Sequence, residues 1–218
     1  VTGVKFSNAG QICVAPNRVF VAENVKEKFT EKVVSRAKAA LVGFDKNKDI
    51  TTGPVIDKRA FQKIKGLIED AVMNGAKLLV GGNRPKYLKK GYYISPTVLC
   101  DVTEEMQVYQ QETFGPIVSL ISFSEETNLL NMANDCDEGG LTAYIFTTNQ
   151  SRAEFYASKL RYGEIQINGV KYDIDLPHGG IGQSGIGHDC SSLALQDYLI
   201  QKRITCSNNT YELGKAIS

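Results

Sequence analysis

Histidine is almost absent from this sequence: His178 and His188 are the only two in 218 residues. So small a number leaves little material for a histidine-based metal centre, and no metal site is expected. The five cysteines (Cys13, Cys100, Cys136, Cys190, Cys206) are scattered, with no C-x-x-C pair among them. That removes the zinc-ribbon and thioredoxin-type readings. An odd, sparse set at this length argues against a disulfide framework and for thiols kept reduced in a cytoplasm. Neither sign of charge dominates: 25 Lys+Arg stand against 24 Asp+Glu. A net charge of +1 gives no electrostatic case for nucleic acid or an anionic membrane surface. No apolar run has the length to cross a bilayer, and the first residues lack the basic-then-apolar pattern of a secretory signal. The initiator Met is also missing, which suggests a processed or partial polypeptide.

What is present is ordinary globular material, 42% hydrophobic and 22% charged, enough for one large core. A β-branched and aromatic cluster predicts a strand at Arg18–Ala22, Lys77–Val80 reads as a short strand closed by Gly81-Gly82, Ile117–Phe123 reads as a strong strand, and further strands are read over 141–147, 164–168 and 198–206. Residues 92–99 look extended, with Pro96 interrupting. Helical spacing places Val25, Phe29, Val33, Ala37 and Ala40/Leu41 on one face, with Asn24 as cap and Gly43 at the end. A second helix is capped by Asp57, turns Phe61, Ile64, Leu67/Ile68 and Ala71/Val72 inward, and stops at Gly75. Ser124 starts a third, carrying Leu129, Leu130 and Ala133. Ala153, Tyr156, Ala157 and Leu160 mark a fourth. Residues 45–50 and 83–90 read as polar loops. Strands alternating with helices predict an α/β domain with a largely parallel sheet flanked by helices.

Three segments carry chemistry. In Phe6-Ser7-Asn8-Ala9-Gly10-Gln11-Ile12-Cys13, Gly10 lets the backbone bend, and a thiol just after such a turn can be exposed and activated. Taken alone, Cys13 is more simply a small buried hydrophobe. In Gln111-Glu112-Thr113-Phe114-Gly115-Pro116, a carboxylate at a strand entry can accept from sugar hydroxyls while the aromatic packs on a planar ring. A solvated Glu beside a Gly-Pro turn is the plainer alternative. The glycine-rich stretch from Leu176 to Gly187 has no phosphate-loop spacing. It is either a loose surface loop or a packed loop that brings His178 to a pocket.

In this order the three segments resemble the aldehyde dehydrogenase superfamily: F-x-N-x-G-Q-x-C, then E-x-F-G-P, then G-G-x-x-x-S-G. Thr52-Gly53-Pro54, residues 91–98 (GYYISPTV) and residues 140–144 (GLTAY) match as well. The resemblance implies the catalytic domain of that family over 1–197, with an oligomerisation strand and tail over 198–218. It implies that Cys13 attacks an aldehyde, that the resulting thiohemiacetal gives up hydride to NAD or NADP, and that water hydrolyses the thioester. The Cys13 backbone N–H would be one oxyanion donor. Glu112 would hold the nicotinamide ribose and Phe114 would lie near the nicotinamide. His178 and Tyr172 would wall the substrate pocket. A histidine there resembles relatives acting on lactaldehyde and other small hydroxyaldehydes, so lactaldehyde, glyceraldehyde or glycolaldehyde is the expected substrate class. Succinate semialdehyde is the alternative, disfavoured by the lack of an evident carboxylate-binding arginine. Gly182 stands where the family often has Lys.

Family chains are about twice this length, and most of their cofactor-binding half precedes the nucleophile. The resemblance therefore implies a chain inactive alone, a homodimer or homotetramer, and a cofactor site lying mostly outside these residues. Two other functions remain open: ester hydrolysis or acyl transfer through the same thioester, and a non-enzymatic assembly module. Cys100, Cys136, Cys190 and Cys206 read as structural, and His188 as a loop residue.

Overall fold

The computed structural model describes residues 1–45, 49–124, 126–135 and 139–206. Its centre is β4 (Ile117–Phe123), flanked on one side by β1 (Arg18–Ala22) and on the other by β3 (Thr97–Cys100), both parallel to it. β2 (Lys77–Val80) closes the far edge, antiparallel to β3. Residues 117–121 are all buried, as a strand covered on both faces requires. Period-two alternation divides them between two cores. Ile117, Ile121 and Leu99 face Ile64, Leu67, Ile68 and Ala71 of α3 (Lys58–Met73). Val98, Val118 and Leu120 face Phe6 and the Val33/Ala37 stripe of α2 (Glu23–Ala39).

A second, two-stranded parallel sheet pairs β5 (Thr142–Ile145) with β6 (Glu164–Ile167), joined through α6 (Gln150–Lys159). The α/β class is as expected, but the strands divide four and two, and one edge is antiparallel. The two sheets are linked by side chains. The Arg18 guanidinium donates to the Met132, Ala133 and Asp135 carbonyls at the end of α5 (Glu126–Asn134) and to the Tyr162 hydroxyl. Tyr144 Oη donates to the Val14 carbonyl at 2.9 Å.

Local signals fare unevenly. Asp57 caps α3, accepting from Ala60 N–H at 2.8 Å, and Gly75 follows its end with φ 102°. Asn24, by contrast, is not a cap: α2 starts at Glu23, whose carboxylate suits the positive helix end, and no side chain caps it. Val25 and Val72 are exposed rather than inward, at the margins of their apolar stripes, and Leu41 is exposed because α2 has already ended at Ala39. Two short helices, α1 (Thr2–Phe6) and α4 (Gln107–Gln110), are too brief to show a period. The expected strand over 198–206 is corrected. Ser192–Tyr198 is a 3-10 helix, and residues 199–206 have no ladder partner among the described residues. Cys136 and the tail over 207–218 lie outside the described residues. No described helix is long and apolar enough to cross a membrane.

Candidate active site

The segment that carries Cys13 is a locked turn. After α1 the chain makes a 3-10 turn over Ser7–Gly10, with Asn8, Ala9 and Gly10 all at positive φ (48°, 54° and 71°). Asn8 Nδ2 donates to the Gln11 carbonyl, and Gln11 Nε2 donates back to the Asn8 carbonyl, each at 3.0 Å. Gln11 Oε1 also accepts from Ile56 N–H at 2.8 Å. Gly10 is compelled by contact as well as by φ: a Cβ there would collide with the Gly115 carbonyl. The Asn, Gly and Gln of the motif thus shape the turn, and Cys13 leaves it exposed as a free thiol.

Cys13 opens onto a cleft of about 1500 Å³ that Glu112 also lines. Glu112 is exposed, while its neighbour Thr113 is buried and accepts from Lys5 Nζ at 2.8 Å. Lys5 is itself buried, and burial pulls its amine down to about 7 against the opposing pull of Glu112. Tyr144 lines the cleft too; burial, reinforced by Glu164 and Cys13, pushes its phenol up to about 12, so it stays protonated. Arg18 borders the cleft, but its guanidinium is committed to the α5 carbonyls and stacked near Phe20 and Tyr109 at 5.5 and 4.9 Å.

The remaining expected residues are not in this cleft lining. Phe114 is 41% exposed with φ 41°, at the bend that carries the chain into β4. His178 bridges Asp189 through both backbone bonds and sets Nδ1 3.0 Å from Glu164 Oε2. Tyr172 is exposed, its hydroxyl 3.2 Å from Cys190 Sγ. The glycine-rich segment is a packed loop: a Cβ on Gly163 would strike the Gly179 carbonyl. It reaches the cleft through Gln183 and Ser184 rather than through His178. Lys5, Asn17, Tyr144 and Glu164 went unassigned from sequence; a lone lysine, an asparagine and two strand residues carry no local signal. Cys100 and Cys190 are partly or wholly covered, whereas Cys206 and His188 are exposed. Among the described residues no three His, Cys, Asp or Glu groups converge on a metal site.

An exposed carboxylate such as Glu112 can accept from the hydroxyls of a sugar. The family model for the aldehyde dehydrogenase family matches residues 1–204. Succinate-semialdehyde dehydrogenase [NADP(+)] 2 of Schizosaccharomyces pombe is 39% identical over 202 residues, covering 92% of this chain and 41% of that protein. The 3-sulfolactaldehyde dehydrogenase of Pseudomonas putida is 37% identical over 196 residues, covering 89% and 40%. The crystal structure of Staphylococcus aureus betaine aldehyde dehydrogenase in complex with NAD+ superposes with a TM-score of 0.88 at 33% identity, covering 100% of this chain and 44% of that one. The chain spans about two-fifths of the length of the curated relatives it matches.

Proposed function

We propose that this chain, which belongs to the aldehyde dehydrogenase family, supplies the nucleophile and part of the cofactor site for NAD(P)-dependent oxidation of a small hydroxyaldehyde to its acid. The observation that carries this reading is the locked turn presenting an exposed Cys13 thiol in the cleft that Glu112 lines. Cys13 adds as thiolate to the aldehyde carbon, giving a thiohemiacetal. The Cys13 backbone N–H donates to the developing oxyanion, a contribution of roughly 3–4 kcal/mol for one preorganised donor. A bound dinucleotide supplies the hydride acceptor, and Glu112 is the residue here that would hold its ribose. Water then attacks the Cys13 thioester, releasing the acid and restoring the thiol. Tyr144, held protonated, ties its hydroxyl to the Val14 carbonyl and so steadies the backbone just after the nucleophile.

Lactaldehyde or glyceraldehyde is the favoured substrate class. A relative is named for 3-sulfolactaldehyde, and His178 is the residue expected to offer a polar ring to a substrate hydroxyl, although it is not in the lining of the cleft that Cys13 opens onto. A semialdehyde carrying a carboxylate is the second reading. Relatives named for succinate and glutarate semialdehyde favour it, as do Lys63 and Arg152 in the cleft lining. Residues 198–206 fit a subunit contact of a homodimer or homotetramer, since Tyr198, Leu199, Ile200 and Ile204 are exposed. A cytoplasmic setting accords with the free thiols.

The test uses the full natural protein that carries this sequence. Acid quench during turnover, followed by peptide mass spectrometry, is expected to find the acyl group on Cys13, and Cys13→Ala is expected to abolish NAD(P)H formation. Undiminished oxidation by Cys13→Ala would sink the reading. The ratio of kcat/KM for lactaldehyde to that for succinate semialdehyde decides between the two substrate classes.

A further inference from the structure

Glu112 is bracketed by the segment that carries Cys13. Asn17 donates from Nδ2 to the Gln111 carbonyl at 2.7 Å, and its Oδ1 accepts from the Thr113 backbone N–H at 2.8 Å. One side chain thereby grips the peptide groups on both sides of residue 112. From the other end of the segment, Lys5 Nζ reaches Thr113 Oγ1 at 2.8 Å, and each of these two residues is only 1% exposed. Lys5 lies eight residues before Cys13 and Asn17 four after it, so the thiol stands between the two grips.

Core filling does not account for this arrangement. A leucine or methionine would occupy the space of Lys5 without the cost of desolvating an amine. An asparagine bonded to two backbone groups of a distant turn fixes that turn's position more than it adds to a core. Thr113 is the residue both grips share, and Glu112 is its chain neighbour, exposed at the cleft. The contact of Gly10 with Gly115 brings the two backbones together at a third point.

We propose that Lys5 and Asn17 are positioning residues that set the Glu112 carboxylate at a fixed place relative to the Cys13 thiol. This rests on the reading above, with Cys13 as nucleophile and Glu112 as holder of the dinucleotide ribose. The pairing makes the nucleophile turn and the cofactor-holding turn one rigid unit. A displacement of about 1 Å between reacting groups is enough to cost large factors in rate, so such a unit has something to protect.

The experiment uses the full natural protein with Asn17→Ala, Lys5→Met, Thr113→Val and the Lys5→Met/Thr113→Val double variant. Dinucleotide affinity is read by titration calorimetry with NAD+ and with NADP+ in the absence of aldehyde. Thiol access is read as the rate of Cys13 alkylation by iodoacetamide without dinucleotide. Asn17→Ala and Lys5→Met are expected to weaken dinucleotide binding about tenfold while alkylation changes less than about twofold. Lys5→Met is expected to add nothing once Thr113 is valine. If Lys5→Met fails to fold, Asn17→Ala still decides. Wild-type affinity in Asn17→Ala, or affinity and alkylation falling together, would overturn the proposal. Glu112→Gln separates the two levels. If it too binds normally, or if the wild type binds neither dinucleotide, the reading of Glu112 fails and the proposal with it. If only Glu112→Gln is weakened, the proposal alone is lost.

Discussion

His178 and Glu164 are partners: Nδ1 of the ring stands 3.0 Å from Oε2 of the carboxylate, with each side chain 21% exposed. Glu164 also accepts from the Thr142 hydroxyl at 3.2 Å and from the Gln166 amide. The ring is therefore oriented by Glu164 of β6, and in the proposed reading its other nitrogen is the one that meets a substrate.

Glu164→Gln tests that orientation. With the carboxylate gone, the preference for 2-hydroxyaldehydes over their unsubstituted counterparts is expected to fall by about three- to tenfold. The measurement is the ratio of kcat/KM for lactaldehyde to that for propionaldehyde in the full natural protein. An unchanged ratio would remove His178 from substrate recognition.

Lys5 makes stability depend on alkaline pH. Its amine is lowered from the usual 10.5 to about 7, chiefly by burial, with Glu112 the charged group pulling the other way. Between those values the unfolded chain holds a proton that the folded chain has shed. Stability therefore climbs as pH rises through the window and levels off below it. Denaturant midpoints at pH 7, 8 and 9 are expected to rise in the wild type. The rise attributable to Lys5 disappears in Lys5→Met.

Asp101 acts in the same direction, but in the acid range. Its carboxylate sits 2.9 Å from Lys26 Nζ and 2.8 Å from Lys77 Nζ, and these bonds hold it well below the usual carboxylate range. The contribution is fully present above the unfolded value of about 3.9 and fades as pH falls further. Lys77 is largely exposed, so Asp101→Asn is expected to cost only about 1 kcal/mol at pH 7. Thermal melts should show the gap between variant and wild type closing in strong acid and in high salt.

Arg18 is predicted to be the costliest single loss in the scaffold. Its guanidinium serves three carbonyls at the end of α5 and the Tyr162 hydroxyl, beside two aromatic rings. Arg18→Met is expected to destabilise by about 2–4 kcal/mol in chemical denaturation, and Arg18→Lys to recover little, because a point ammonium cannot reproduce the fork.

What was legible in the sequence was what depends on neighbours in the chain. β1 and β4 coincide with their β-branched and aromatic runs, β2 with the short apolar run before Gly81-Gly82, and Asp57 caps the helix it announces. Cys13 and Glu112 stood out because motif residues such as Asn8, Gly10 and Gln11 have local work to do. The division of the strands into two sheets was hidden, since pairing is decided between segments far apart. The 198–206 segment reads as a strand, yet a strand needs a partner, and none lies beside it among the described residues. His178 pairs across 14 residues with Glu164, and Lys5 across 108 with Thr113. Nothing near either residue announces the other.

That last separation has a consequence for biosynthesis. The segment around Cys13 is translated about a hundred residues ahead of the turn against which it is moulded. Until Gln111–Pro116 has left the ribosome, Asn17 and Lys5 have no partners and the thiol-bearing turn has no template. Contacts of such long range form late, because loop closure must be met before they reward it. A nascent chain halted before residue 111 should thus lack the contacts that fix Glu112 relative to Cys13, and these should form only once the central strand is complete.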